Sequence, residues 1–273
     1  ITVMRKLLAI WLGKILTIVG KTVGKKSSSS PGAYALKICP DLVKGLEKCV
    51  SKGIIVTCGT NGKTTTNNLM ASALEAKGYK VICNKLGANM LSGIATTVLQ
   101  EMSIFGKLKA DYACLEIDEA YTPIVFDYVK PDVMVITNLF RDQLDRNGEV
   151  ETLILKVKKF LETFEGNVVL NADDPNVARL GLANPNNKNI HYFSVDRYQG
   201  ATDKPYEVGE GKFCPFCDTE LVYDYYQYSH IGKFHCPKCG FGNIEPEVEI
   251  KNVDLTVPSF EADGETYKTA HNS

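Results

Sequence analysis

The chain has 273 residues, a net charge of -1 and a hydrophobic content of 44%. This length suffices for one large or two small domains, and the composition is ordinary for a globular protein. The near-zero charge gives no general reason to expect a nucleic-acid partner. Four of the nine cysteines form two close pairs and five are scattered. Scattered cysteines in odd number predict a reducing, cytoplasmic compartment and no disulfide framework.

Residues 4–24 have the apolar spacing of a helix, and seven Lys or Arg residues but no acidic residue precede Asp41. Lysines divide the segment into apolar runs too short to cross a bilayer, so we predict that the chain is not transmembrane. Two interpretations stay open: the apolar face packs on the protein, or it touches anionic lipid at the inner face of the membrane. The steps of three and four place five side chains on that face: Leu8, Trp11, Leu12, Ile15 and Val19.

Beyond the loop sequence SSSSPG at 27–32, short apolar runs alternate with segments of helical spacing. We therefore divide the chain into a basic amphipathic helix with its linker (1–30) and a main domain (31–273). The alternation predicts an α/β fold of the P-loop type, in which a mostly parallel sheet has helices on both faces. Residues 248–257 and 264–269 are predicted to form a β-hairpin extension. The six runs lie at 54–58, 80–83, 112–117, 133–137, 168–171 and 190–193.

The sequence GTNGKTTT at 59–66 directly follows the first apolar run. A glycine-rich turn between a buried strand and a helix presents backbone N–H groups to an anion. In that arrangement Lys63 reaches phosphate oxygens and the Thr64 hydroxyl is a ligand of Mg²⁺. Thr57 stands where the general phosphate-loop pattern has its first glycine.

Polar residues also follow three later strands, where ligands bind in parallel sheets. LEIDEA at 115–120 offers three carboxylates, which suit Mg²⁺, and Glu116 is the best single candidate. LNADDP at 170–175 offers Asn171 to a base edge or a ribose, while Asp173 and Asp174 start a helix. From TNLFRDQLDR at 137–146 the candidates are Asn138, Asp142 and Gln143, while Asp145 and Arg146 are read as helix-capping residues.

The sequences CPFC and CPKC form a small insert at 205–245. Four thiolates at this spacing predict a zinc ribbon with a structural ion, because no coordination position is left for water. His230 and His235 are then not needed as ligands. Residues 204–245 contain four Lys and no Arg against six acidic residues, which argues against a nucleic-acid surface. The four predicted ligands are Cys214, Cys217, Cys236 and Cys239.

Together, GTNGKTT, the glutamate after a strand, TNLFRDQLDR and LNADDP resemble the central ATPase domain of the Mur ligase family, and the cysteine insert resembles its lipid II-amidating branch. GTNGKT is the family's own short form of the loop, so Thr57 fits. The resemblance implies that Lys63 and Glu116 are catalytic, that Thr64 and Glu116 bind Mg²⁺, and that Asn89 lies toward the acceptor. It implies ATP contacts from Gly59, Thr60, Asn61, Gly62, Lys63, Thr64, Thr65, Asn138 and Asn171.

Mur-type ligases convert a carboxylate to an acyl phosphate, which an amine then attacks. Here the resemblance implies amidation of the α-carboxyl of D-glutamate in the lipid II stem peptide to D-isoglutamine, for peptidoglycan synthesis. The ammonia would come from a GatD-like glutamine amidotransferase that forms a heterodimer with this chain. The alternatives are an amino-acid ligase related to folylpolyglutamate synthase and a non-catalytic zinc-ribbon adaptor.

Three departures from the family pattern accompany the resemblance. Gln143 stands where many members have a histidine at a second metal position. A carbamylated lysine of the family would correspond to Lys156 or Lys158, between which the sequence does not choose. The family's C-terminal domain is not in this chain, so we expect a partial chain that does not complete the reaction alone.

Overall fold

The computed structural model describes residues 2–22, 29–85, 88–140, 150–204 and 211–268. The chain forms two compact units, Ile1–Val135 and Ile136–Ser273. Among the described residues, no helix has both the length and the apolar character needed to cross a membrane.

The first unit is built on parallel strands. β1 (Val50–Cys58) pairs with β3 (Ala110–Glu116), which also pairs with β2 (Val81–Cys83). β4 (Val133–Ile136) begins in this unit and is the neighbour of β1 on its other side. The strands confirm four of the predicted runs. The described part of the unit contains five α-helices: α1 (Thr2–Thr22), α2 (Ser30–Ile38), α3 (Lys63–Ala76), α4 (Leu91–Glu101) and α5 (Thr122–Phe126).

The core of the first unit lies between its strands and helices. Helix α3 packs on β1, β2 and β3, while α1, α2 and α4 pack on one another. Fully buried side chains such as Ile54, Leu115, Ile94 and Ile10 belong to one continuous apolar cluster. The first unit therefore has the predicted α/β character, with parallel strands and helices packed on them.

Helix α1 exists as predicted, but the interpretation in which its apolar stripe packs on the protein is wrong. The stripe is outside: Leu12 is half-buried, and Leu8, Trp11, Ile15 and Val19 are 47 to 57% exposed. Small residues on the opposite side explain this orientation, because they permit close helix packing. A Cβ on Gly13 would lie only 2.6 Å from Leu99 Cδ1. The buried side consists of Ala9, Ile10, Gly13 and Thr17.

The second unit contains β5 (Asn167–Asn171), β6 (Ile190–Val195) and β9 (Val248–Asp254), which pair in parallel. The predicted hairpin after residue 248 is wrong in detail. A short additional strand, β10 (Ser259–Ala262), pairs antiparallel with β9 and with β11 (Glu265–Lys268), so three strands follow one another. Two helices, α6 (Val150–Leu161) and α7 (Pro175–Ala178), precede β6.

The cysteine insert forms a separate two-stranded sheet. β7 (Val222–Tyr228) pairs antiparallel with β8 (Ile231–His235), and the two cysteine pairs flank this hairpin in the chain. A small apolar core contains Cys214, Leu221, Phe234 and Cys236 together with Ala178 of α7. The insert is therefore packed against the body of the second unit and not only linked to it.

Candidate nucleotide and metal sites

The loop at 59–62 joins β1 to α3, as the sequence predicts. Gly59 has a φ of 128° and Gly62 a φ of 78°, a region that residues with a side chain rarely adopt. Gly62 is the N-cap of α3, and a glycine brings no side chain to the first N–H groups of that helix. Those groups and the positive end of the helix dipole can therefore serve an anion. Thr57 is fully buried at the end of β1, so it takes no place on the loop surface.

Thr64 and Glu116 lie side by side at the start of α3. The Thr64 hydroxyl donates to Glu116 Oε2 at 2.7 Å, and Glu116 is 2% exposed. Two neighbouring ligands of an octahedral Mg²⁺ ion are about 3 Å apart, since each lies at about 2.1 Å from the ion. The donor chemistry and the spacing of this pair therefore fit Mg²⁺.

Lys63 is paired with a second buried glutamate of the same strand end. Its Nζ lies 3.4 Å from Glu119 Oε2 and donates to the Thr60 carbonyl at 3.0 Å. The Thr60 hydroxyl donates to Glu119 Oε1 at 3.3 Å. The side chains of Lys63 and Glu119 are 12% and 4% exposed. Glu119 thus holds the ammonium group beside the loop, a role that the sequence did not assign to it.

Asn84 is a positioning residue that the sequence analysis missed. Its Oδ1 accepts from Glu116 N and its Nδ2 donates to Glu116 O, both at 2.8 Å. Asn67 of α3 donates to Asn84 Oδ1 at 3.3 Å. This clamp fixes the backbone of Glu116. The signal was available, because Asn84 directly follows β2 and is a polar residue at a strand end like the others.

Asn89, predicted on the acceptor side, is half-buried beside the same acidic strand end. Its backbone carbonyl accepts from Asp118 N at 3.0 Å. Asp118 in turn accepts from Ala120 N through Oδ1 at 3.0 Å, which shapes the turn after β3. The structure thus brings Asn89 to the turn that carries Glu116 and Glu119. Its contact with an acceptor stays a prediction.

Asn171, in the second unit, uses its side chain within its own loop. Its Nδ2 donates to Thr137 O at 3.0 Å and its Oδ1 accepts from Asp173 N at 3.0 Å. It is 8% exposed. Asn138, half-buried, directly follows Thr137. The nucleotide contacts of Asn138 and Asn171 stay predictions, and the observed role of Asn171 is to fasten the loop.

For the other predicted site residues of this unit, the structure does not test the prediction. Asp142, Gln143, Asp145 and Arg146 lie outside the described residues. Lys156 and Lys158, the two candidates for carbamylation, are both exposed on α6. The choice between them therefore stays open.

Asp174 starts helix α7, as predicted, and does more than that. Its Oδ1 accepts from Asn176 N at 2.8 Å, while its Oδ2 accepts from Leu139 N at 2.8 Å. His230, from the turn of the insert hairpin, places Nε2 at 3.2 Å from Asp174 Oδ1. Asp174 and His230 are 0% and 3% exposed. The insert therefore braces the loop that follows β5.

Asp173 is also held by hydrogen bonds both from the body of the second unit and from the insert. Its Oδ2 accepts from Val195 N at 2.7 Å and from Gln227 Nε2 at 3.1 Å, and its carbonyl accepts from Gly232 N at 2.9 Å. Burial raises the pKa of Asp173 to about 6, against the lowering effect of these hydrogen bonds. Gln227 and Gly232 belong to the insert hairpin, so this brace involves several residues.

The four cysteines of the insert form the cluster that the sequence predicts. Sγ of Cys214 lies 3.5 Å from that of Cys239, and Sγ of Cys217 lies 3.5 Å from that of Cys236. All four sulfurs lie within 4.8 Å of one another. A disulfide needs about 2 Å, whereas sulfurs around a tetrahedral zinc ion are about 3.8 Å apart. The cluster therefore fits a zinc ion, and its four sulfurs would leave no position for water.

Comparison with known proteins identifies the family. Residues 56–233 match the Mur ligase middle domain. The chain is 36% identical over 252 residues to "Lipid II isoglutaminyl synthase (glutamine-hydrolyzing) subunit MurT" of Staphylococcus aureus (strain COL), covering 92% of this chain and 55% of that protein. The subunit of the same name from Streptococcus pneumoniae (strain ATCC BAA-255 / R6) is 37% identical, with 89% and 53% covered.

The chain thus spans about half the length of the curated relatives it matches. Among solved structures, the MurF ligase from Thermotoga maritima in complex with ADP matches with a TM-score of 0.46 and 18% identity, over 61% of this chain and 40% of that one. The family model covers more than half of the 273 residues, including the phosphate loop, the acidic strand end and the start of the insert hairpin. The chain belongs to the Mur ligase family.

Proposed function

We propose that this chain is the ATP-binding part of a ligase subunit that activates the α-carboxyl of D-glutamate in the lipid II stem peptide. The acyl phosphate would then be amidated by ammonia to give D-isoglutamine. The names of the similar proteins support the substrate and the reaction. The observation that carries the ATP chemistry is the contact between Thr64 Oγ1 and Glu116 Oε2 at the start of α3.

In this proposal Thr64 and Glu116 hold Mg²⁺, while the loop N–H groups of 59–64 hold the phosphates. Bound Mg²⁺ would supply charge neutralisation at the transferred phosphoryl group. Asn84 keeps the Glu116 backbone in place through its two hydrogen bonds. The metal site thus depends on a buried amide outside the loop itself.

Lys63 supplies the fixed positive charge. Glu119 and the Thr60 carbonyl hold its ammonium group next to the N-terminus of α3. A phosphate at the loop would compete with the Glu119 carboxylate for Lys63. Because phosphoryl transfer is mainly positioning and charge stabilisation, a lysine held in this way reduces reorganisation when the nucleotide binds.

We propose that the ammonia comes from another protein when glutamine is its source. The thiols near the candidate site are poor nucleophiles, because burial raises the pKa of Cys83 to about 11 and that of Cys114 to about 12. The zinc cluster would occupy four more cysteines. We therefore propose a GatD-like amidotransferase as partner, in agreement with the words "glutamine-hydrolyzing" and "subunit" in the names of the relatives. We also propose a cytoplasmic location, because an odd number of scattered cysteines is typical of proteins in a reducing compartment.

An amidation assay tests the proposal. The full-length protein that carries this chain is incubated with lipid II and ATP, and with either ammonia, glutamine, or glutamine plus the amidotransferase. We expect product with ammonia alone and with the complete glutamine mixture, but not with glutamine alone. Absence of product in every mixture, or addition of an amino acid in place of ammonia, would contradict the proposal.

A matched pair of variants ties the reaction to the loop. Lys63→Ala should abolish amidation, whereas Lys85→Ala should retain it. Lys85 is a suitable control because its ion pair with Glu75, at 3.1 Å, is half-exposed at the surface. Equal loss in both variants would point to a general effect on folding, which circular dichroism would reveal.

A further inference from the structure

The outward side of α1 carries a continuous apolar surface, which we call the outer face. Its six side chains are 47 to 66% exposed, and each lies three or four residues from another member of the set: Met4, Leu8, Trp11, Ile15, Ile18 and Val19. Large exposed apolar patches on a soluble protein commonly mark a site of interaction.

A neighbouring loop extends this face. The Trp11 indole Nε1 donates to Ile104 O at 2.9 Å, which places the loop beside the middle of the helix. Ile104 and Phe105 are 56% and 74% exposed. The patch is therefore made by two separate segments of the first unit and is not a single row of side chains.

The opposite side of α1 is already occupied by packing. Ala9, Ile10, Gly13 and Thr17 are buried there, so the helix cannot turn its outer face inward without leaving its own contacts. Charged side chains lie on the flanks and not on the outer face. Arg5 is exposed, and Lys14 donates to Gln100 O at 3.4 Å. The result is an apolar ridge bordered by positive charge.

We propose that the outer face docks on the surface of an anionic lipid bilayer, with α1 lying in the plane of the interface. Charge complementarity decides between occupants. The first 40 residues contain seven Lys or Arg and no Asp or Glu, which favours negatively charged headgroups. A second copy of this chain would instead bring the same positive charges against one another. Tryptophan is also the side chain that best suits the boundary between headgroups and acyl chains.

This docking surface goes beyond the proposed catalytic function, because it requires neither ATP nor substrate. It would hold the first unit at the membrane by a surface helix, without a segment that crosses the bilayer.

Trp11 is the only tryptophan of the chain, so its fluorescence reports on this surface alone. The protein is titrated with vesicles that contain phosphatidylglycerol and phosphatidylcholine, and in parallel with vesicles of phosphatidylcholine only. We expect a blue shift of the emission with the anionic vesicles, weaker binding to the neutral ones, and a decrease in affinity at high salt. An unchanged emission spectrum together with no cosedimentation would overturn the proposal.

Surface variants give the second arm. The double variant Leu8→Gln, Ile15→Gln keeps Trp11 and changes only exposed side chains, so the fold should survive. We expect its partitioning to anionic vesicles to fall at least about tenfold. The matched control is Leu155→Gln, since Leu155 is 55% exposed on α6 of the second unit. Equal vesicle binding by the double variant and the wild type would overturn the proposal.

Self-association is measured on the same samples by sedimentation velocity without lipid. We expect the wild type to form no concentration-dependent dimer through the outer face, so the double variant should sediment as the wild type does. Such a dimer, combined with unchanged Trp11 emission in the presence of vesicles, would assign the outer face to a second copy of the chain and overturn the lipid proposal.

Discussion

Two acidic strand ends of this chain look alike in sequence and differ in structure. LEIDEA follows β3 in the first unit, and LNADDP follows β5 in the second. In the first, Glu116 contacts a hydroxyl and Glu119 contacts an ammonium group, each through the side chain. In the second, Asp173 and Asp174 receive hydrogen bonds from Val195 N, Leu139 N and Asn176 N, and from side chains of the insert.

The difference teaches that the partners of a carboxylate distinguish a ligand site from a structural brace. Thr64 and Lys63 lie at the mouth of the glycine loop. A metal ion can therefore insert between Thr64 and Glu116, and a phosphate can replace Glu119 as the partner of Lys63. Backbone N–H groups cannot be exchanged in this way without opening the fold. We therefore expect changes at LEIDEA to affect ligand binding and changes at LNADDP to affect stability.

The largest effect should follow disruption of the cluster of four cysteines. Cys214→Ser removes one ligand of the cluster that anchors the hairpin with Gln227 and His230. We expect the free energy of unfolding of the second unit to fall by about 5 kcal/mol or more, since structural zinc contributes directly to folding. Hydrogen exchange should become faster at 211–245 and at 171–176. Cys49→Ser, at a half-buried position outside the cluster, is the control. Unchanged exchange at 171–176 would show that the insert is no brace.

Variants of the two glutamates in LEIDEA should differ in how Mg²⁺ affects their affinity for ATP. We expect Glu116→Gln to weaken ATP affinity in the presence of Mg²⁺ by about 10- to 100-fold and to leave the metal-free affinity unchanged. Glu119→Gln should keep the Mg²⁺ effect, because Glu119 faces Lys63 and not Thr64. Calorimetric titrations with and without Mg²⁺ measure both. If both variants lost the Mg²⁺ effect equally, the assignment of Glu116 would be wrong.

At the other strand end, His230→Ala should destabilise the protein without a Mg²⁺-dependent effect. It removes a buried contact with Asp174 and a packing contact with the Phe140 ring at 4.7 Å between centroids. We expect a loss of about 1 to 3 kcal/mol in the free energy of unfolding, measured with denaturant. His191→Ala, which removes surface contacts of its ring with Glu247 and Asn167, should cost about 0.5 kcal/mol or less. Similar losses in both variants would contradict the brace.

The smallest expected effect concerns pH. The pKa of Asp173 is about 6, above its ordinary value of 3.8, so the protonated form is favoured in the folded state. The stability that this provides is complete below about pH 4 and is lost as the pH rises through 6. Asp173→Asn should therefore raise stability at pH 7 by about 1 kcal/mol and flatten its pH dependence between 4 and 6. A less stable variant at pH 7 would show that ionised Asp173 is needed there.

The strands, the glycine loop between β1 and α3, and the cluster of four cysteines could be predicted because their signals are local. Buried parallel strands are continuous apolar runs, and the glycine loop and the cysteine pairs have fixed spacings. Asn84 was missed although it follows β2, and its partner Glu116 lies 32 residues away in the sequence. The contact of His230 with Asp174 could not be predicted from the sequence either, because the two residues are 56 positions apart.

Helix α1 shows a second limit. Its spacing correctly identified a helix and an apolar stripe, but spacing cannot tell which side faces the protein. The side that packs contains Gly13 and Ala9, whose small size permits close approach to α4. A pattern search for large apolar residues necessarily selects the other side. Strand β10 was missed because its four residues, SFEA, contain only one large apolar side chain.

The central claim is that the loop of 59–65 binds the phosphates of ATP with Lys63. Calorimetric titration of Mg·ATP into the wild-type chain and into Lys63→Ala tests it most directly. We expect binding by the wild type and a loss of at least about 100-fold in the variant, because a buried ammonium beside a helix N-terminus interacts strongly with phosphate. Equal affinities in two folded proteins would contradict the account.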